Sequence, residues 1–265
     1  MAKKQDINII IYKAAEDYLN RIKPAEVTDL DKYFLGDARN YNSLKDIYLQ
    51  FIASAQNYQS MPNIIKFWER KKKISKILHD FDIDYVKALN PEDLYRVFRV
   101  TFPVGGVDNR RNSWYKWSCS VVDSAKFLLD FSDDAEFEHF VKCFDFNVST
   151  RMALPLLISQ KIRGIGFALA CDLLKELGFI NYPKPDVHLM DVFSELGLSE
   201  RTQISTFEAI VRMSDINKPL DSTASPYKVD KVFWLICSGK FYAEKPEVKI
   251  DSHKESFIEY CKKLI

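Results

Sequence analysis

From Ile162 to Phe179 the chain reads I-R-G-I-G-F-A-L-A-C-D-L-L-K-E-L-G-F, and from Ile180 to Leu198 it continues I-N-Y-P-K-P-D-V-H-L-M-D-V-F-S-E-L-G-L. The reading of this stretch decides the fold. Apolar residues at helical spacing predict one helix over about 151–161 and another over 167–177. Between them, Gly164 and Gly166 allow a sharp turn that exposes main-chain N–H groups. The second helix aims its N-terminus at that turn, where its dipole favours an anion. Ile162 and Ile165 should pack the two helices together, while Lys161 and Arg163 flank the turn as cations. A phosphate docked there would be held without any base being read. An αα-hairpin that needs its glycines only for close packing would look the same up to this point. The next feature separates the two readings. A loop bracketed by Pro183 and Pro185 presents a single carboxylate, Asp186, at the start of a further helix. As an N-cap it is worth about 1 kcal/mol. Beside a phosphate grip it is also a candidate for chemistry on nucleic acid.

Working outward, nearly every segment carries helical periodicity. Residues 43–56 place Leu44, Ile47, Tyr48, Phe51 and Ile52 on one face, and Pro62 can open a helix over 62–79 with a basic face from Lys66 to Lys76. Asn90-Pro91 and Ser225-Pro226 are N-caps followed by proline at the first helical position, and Gly239 ends the latter helix. Further helices are expected over 114–130 and, after Asp133, over 134–144. Strand-like alternation is nearly absent. The expectation is an all-α protein of roughly ten to twelve helices.

The 265 residues fit one large domain or two intimate small ones, and a hydrophobic fraction of 47% is ample for a core. Lys and Arg total 38 against 37 Asp and Glu, so no overall basic charge advertises nucleic acid. The five cysteines, Cys119, Cys143, Cys171, Cys237 and Cys261, are odd in number and widely spaced. Without a C-x-x-C pair they encode no zinc or iron–sulfur site of the usual kind and read as reduced thiols of a cytosolic protein. The apolar run after the basic N-terminus is too short for a signal peptide or membrane span. The segment Gly105–Trp117 mixes cations (Arg110, Arg111), amides and aromatics (Trp114, Trp117), the tools of phosphate contact and base stacking, although two tryptophans at this spacing commonly belong to a core.

The 162–198 run resembles the helix-hairpin-helix plus Gly/Pro-Asp signature of the endonuclease III-like DNA glycosylase superfamily. Gly164, Ile165, Gly166 and Ala170 match its hairpin, Pro185 to Leu189 match its second part, and the interval between them needs no gap. Ser54-Ala55-Gln56 is similar to the family's S-A-Q segment, and the resemblance covers about residues 40–240. It implies a two-lobed helical fold with an interlobe cleft: a central domain over 40–180, and a terminal domain from 1–39 with 181–265. It also implies Asp186 as the catalytic carboxylate, double-stranded DNA as partner, and Gln56 as the side chain that fills the gap of a flipped nucleotide, helped by Asn57 and Tyr58. Lys161, Arg163, Gly164, Gly166, Arg110 and Arg111 would hold DNA, and Tyr58, Trp114 and Trp117 would shape a base pocket. His188 is expected to be structural.

Two departures narrow the chemistry. Members that also cleave the strand carry a lysine two residues after the second hairpin glycine, where this chain has Ala168. Lys161, Lys175 and Lys184 are the lysines near enough in sequence to replace it. The iron–sulfur cluster of many members is absent too, with only Cys261 that far along, so Phe233, Trp234, Phe241 and Tyr242 should hold the C-terminal helices by packing. The expectation is a monofunctional enzyme that hydrolyses the N-glycosidic bond of a modified base. It would need no side-chain metal site or cofactor, beyond a monovalent cation at the hairpin backbone. No membrane and no obligate protein partner are implied, and the location would be cytoplasmic, at the nucleoid. The alternatives are a non-catalytic DNA-binding protein of this fold and a glycosylase acting on normal bases in defence.

Overall fold

A computed structural model of the chain describes residues 6–36, 39, 41–58, 61–244 and 246–265. The described residues form fourteen α-helices, one 3-10 turn and one two-stranded ribbon. In chain order the helices are α1 (Ile7–Ile22), α2 (Leu44–Ala55), α3 (Met61–Ile65), α4 (Phe67–Ile77), α5 (Ile83–Lys87), α6 (Pro91–Thr101), α7 (Ser113–Leu128), α8 (Asp134–Cys143), α9 (Val148–Lys161), α10 (Phe167–Glu176), α11 (Val187–Glu195), α12 (Gln203–Asn217), α13 (Pro226–Ser238) and α14 (Lys254–Lys262). The all-α class is as expected. The exception is an antiparallel pair, β1 (Lys240–Phe241) and β2 (Val248–Lys249), too short to have shown alternation in the sequence.

Capping side chains set most of the boundaries. Ser43, Asn90, Asn112, Asp133, Thr202 and Ser225 each accept a hydrogen bond from a main-chain N–H of the first turn they precede. Asn147 and Thr150 form a reciprocal capping box at the head of α9. The helix expected over 62–79 is two helices, because Lys66 adopts a left-handed conformation (φ 51°) that breaks the run between α3 and α4.

The chain divides into two compact units. One comprises Arg39–Leu177, the other Met1–Ala38 with Gly178–Ile265. The first unit is organised around α7, which packs against α2, α5 and α6 and is buried along most of its length. Its core is aromatic: Phe51, Phe67, Phe98, Trp114, Trp117 and Phe137 are all inaccessible to solvent. Each such side chain contributes about 1.5–3 kcal/mol by leaving water. Trp117 Nε1 donates to the Ile52 carbonyl (2.8 Å) and Tyr48 Oη to that of Val121 (3.1 Å), so the buried polar atoms of these rings are satisfied. The hairpin helices α9 and α10 pack on each other, and α10 also packs on α2.

In the second unit α13 is the central helix, contacting α1, α11, α12 and α14. Phe193, Phe233 and Phe257 meet edge-on or tilted across it, and Phe241 closes against Tyr33. The apolar residues expected to hold the C-terminal helices include Phe233 and Phe241, both fully buried.

Candidate functional site

The Gly-x-Gly turn links α9 to α10, and its two glycines do different work. Gly164 has φ +88°, a left-handed conformation, and a Cβ placed on it would lie 2.6 Å from Ser120 Oγ on α7. Both the dihedral and the space therefore demand glycine. Gly166 has φ −86°, and a Cβ there would meet nothing within 4 Å. Neither strain nor packing requires it. Its effect is on the outside: it is the N-cap of α10 and offers no side-chain acceptor to the first turn of the helix. Ile162 and Ile165 are buried as expected, and the Ile165 N–H donates to the Ile162 carbonyl (3.2 Å) to close the turn.

A buried carboxylate fixes this turn from α7. Asp123 accepts from the main-chain N–H of Arg163 (3.1 Å), from its Nε (2.7 Å) and from its Nη2 (2.9 Å). Ser120 Oγ donates to the Arg163 carbonyl at 2.6 Å. The fork-shaped guanidinium matches the carboxylate, and that hydrogen bonding holds Arg163 well above the usual arginine range. Arg163 thus clamps the hairpin, although its head remains exposed; Lys161 is exposed beside it. On the preceding turn of α7, exposed Lys116 has its ammonium 5.6 Å from the Tyr58 ring centroid, and its carbonyl would be 3.7 Å from a Cβ on Gly164. Lys116 and Tyr58 therefore stand beside the turn.

The second candidate element is the Pro183-Lys184-Pro185-Asp186 loop. The Asp186 N–H donates to the Lys184 carbonyl (2.9 Å) in a three-residue turn centred on Pro185, whose ring already holds φ near the value such a turn needs. Asp186 is the N-cap of α11: its Oδ1 accepts from His188 N (2.9 Å) and Leu189 N (3.2 Å). Among the described residues nothing hydrogen-bonds Oδ2. Burial pushes the Asp186 carboxyl up from the usual range, and the negative charge of Asp230 adds to the shift. The Leu189 N–H, His188 and Lys184 oppose it. Asp230, on α13 and 2% exposed, accepts from the Lys184 N–H at 2.8 Å. It thereby pins the loop across 46 positions of sequence. Cys237, one turn or two further along α13, feels the same cluster: burial first, then the Asp186 charge, pushes its thiol up to about 12.

Other expected site residues lie elsewhere. Gln56 is only 6% exposed, and its Oε1 accepts from the Phe67 N–H (3.1 Å), capping the start of α4. Held inward, it cannot fill a gap in DNA in this conformation; Asn57 and Tyr58 next to it are exposed. Ser54 Oγ donates to Glu176 (2.6 Å), so the S-A-Q segment joins α2 to α10. Trp114 and Trp117 are core residues, stacked or tilted against Phe98 and Phe102, and shape no base pocket. Arg110 and Arg111 are exposed on the loop before α7, with Arg110 3.9 Å from Glu92. Of the lysines that could replace the one absent at Ala168, Lys175 is buried and 3.3 Å from Asp172. Lys161 is exposed, and Lys184 is half-buried. Asp123, Lys116 and Asp230 had no signal in sequence spacing, since each acts through a contact distant along the chain.

No protein-family model and no curated protein matches the chain. Among solved structures it is similar to a Methanocaldococcus jannaschii 8-oxoguanine glycosylase/lyase in complex with a 15-mer DNA containing 8-oxoguanine. That likeness has a TM-score of 0.49 and 18% identity, and covers 86% of this chain and 96% of that one. Among the described residues no cluster of His, Cys, Asp or Glu could hold a metal ion, and no helix is long and apolar enough to cross a membrane.

Proposed function

We propose that this chain is a DNA glycosylase that hydrolyses the N-glycosidic bond of a modified base in duplex DNA and leaves an abasic site. The observation that carries the reading is Asp186. One carboxylate oxygen is committed to capping α11, and among the described residues the other carries no hydrogen bond. Burial and Asp230 raise its proton affinity. Cleavage of the C1′–N bond builds positive charge on the sugar. A fixed carboxylate stabilises that charge, and one of raised proton affinity can also take the proton of the attacking water as the base departs. The backbone of the DNA would lie on the N–H groups behind Gly166, with Lys161 and Lys116 as flanking cations. A monovalent cation would take the Gly164 and Ile165 carbonyls, which accept no main-chain hydrogen bond among the described residues.

Ala168 supports hydrolysis without strand cleavage, because alanine cannot form a Schiff base. The test is abasic-site formation across a panel of duplexes bearing alkylated or oxidised bases, read with and without alkali, with borohydride present in parallel. The expected result is strand scission only after alkali and no trapped adduct. A borohydride adduct would assign the chemistry to a displaced lysine. Binding to every duplex with no excision from any would assign the chain a purely binding role.

A further inference from the structure

We propose a second nucleic-acid contact in the Arg39–Leu177 unit: the groove between α2 and α4 binds a single strand, with one base stacked on Trp68. The groove, about 550 Å³, is walled by Lys45 of α2 and by Trp68, Lys71 and Lys72 of α4, with Phe81 at its end. Trp68 is 58% exposed, an unusual fate for the largest apolar side chain, whereas Trp114 and Trp117 of the same unit are withdrawn into the core. Its edge rests on Phe67 (5.0 Å between centroids), and Lys71 Nζ lies 5.2 Å from its ring centre. A flat ring with a cation beside it suits a base and its phosphate together.

The charge balance favours an anion. The two acids of the groove are engaged: Glu69 lies 3.5 Å from Lys66, and Asp80 accepts from Ser75 Oγ at 2.5 Å. Among the described residues no carboxylate lies within ion-pair distance of Lys45, Lys71 or Lys72. The end wall is held at a cost. His79, Asp80 and Phe81 have φ of 46°, 57° and 60°, three consecutive left-handed residues that are not glycine. This turn folds Phe81 under Phe67 (6.1 Å) and leaves His79 stacked on Tyr85 (3.7 Å). Strand backbone on three lysines with one stacked base accounts for these features. An acidic protein segment would use the lysines but leave the exposed ring unexplained.

The site does not depend on the glycosylase reading, and Asp186→Asn should leave it intact. The experiment is a titration of the full chain at low salt with a short oligothymidylate, following tryptophan emission and the anisotropy of a labelled strand. Trp114 and Trp117 are buried and Trp234 is half-buried, so the part of the quenching that disappears in Trp68→Ala reports Trp68. The expected result is quenching that is lost in Trp68→Ala, with affinity about tenfold weaker. In Lys71→Gln/Lys72→Gln the slope of log affinity on log salt should fall by roughly 0.7 for each lysine. Trp68→Ala alters an exposed position, and circular dichroism checks that it folds. Strand binding without quenching, or equal quenching by polyglutamate, would overturn the proposal.

Discussion

Two helix N-termini in this molecule carry opposite solutions to the same electrostatic problem. Both α10 and α11 begin after a tight turn, with first-turn N–H groups that no carbonyl of their own helix can accept. At α11 the chain supplies its own anion, Asp186, which accepts two of those N–H groups. At α10 the cap is Gly166, which supplies none. The first N-terminus is capped by a carboxylate; the second has no side-chain cap. One arrangement suits stabilising positive charge on a sugar, the other holding a phosphate.

The strongest way to break that comparison is Asp186→Asn. Asparagine caps as well as aspartate, so stability should change by under about 1 kcal/mol. Excision should nonetheless fall by roughly 10²-fold or more in single-turnover assays, because the charge is gone. Equal losses of activity and stability would reduce Asp186 to its capping role. Next is Gly164→Ala. It forces a side chain into φ +88° against Ser120, and should cost about 1–3 kcal/mol in urea denaturation. Ser120→Ala in the same chain should recover the steric part. Gly166→Ala sharpens the contrast between the two glycines. Its dihedral and surroundings accept a methyl, so denaturation should move by under about 1 kcal/mol. Duplex affinity should weaken roughly fivefold, as a methyl intrudes at the start of the helix where the strand backbone would lie.

The smallest effect is a displacement along the pH axis. On the proposed mechanism Asp186 acts ionised, and its pKa is raised, so the acid limb of the rate profile should lie above the ordinary carboxylate range. Asp230→Asn removes the like charge, and an amide oxygen can still accept from the Lys184 N–H. The limb should then move to lower pH with the plateau rate little changed. The stability linkage runs in the opposite sense. A raised folded-state pKa stabilises the fold in acid, and that contribution is lost as pH rises through it. Against Asp186→Asn, the wild-type chain should therefore lose relative stability as pH climbs past the carboxylate range, measured by denaturation at a series of pH values.

Much of the fold was legible in the residues. Ser43, Asn90, Asp133 and Ser225 mark helix starts, because a capping oxygen satisfies N–H groups only two or three residues away. The same locality made the Gly164–Gly166 turn and the cap at Asp186 readable. The break at Lys66 was not, since nothing in the local sequence compels a lysine into a left-handed conformation; packing of Phe67 and the Gln56 acceptor impose it.

What the sequence by itself determined is a set of local facts: an all-α chain, a glycine turn before one helix and an aspartate cap before another. The tertiary structure alone decided which residues are withdrawn and which are poised. It buried Gln56, Trp114 and Trp117 and left Trp68 exposed. It brought Asp123 to Arg163 and Asp230 to the Asp186 loop, across 40 and 46 positions. It also made Gly164 sterically indispensable while leaving room for a methyl at Gly166. The physical reason is range. Capping and turn preferences act over a few residues of chain, whereas burial, steric fit and the raising of a carboxylate's proton affinity depend on neighbours that only packing brings near.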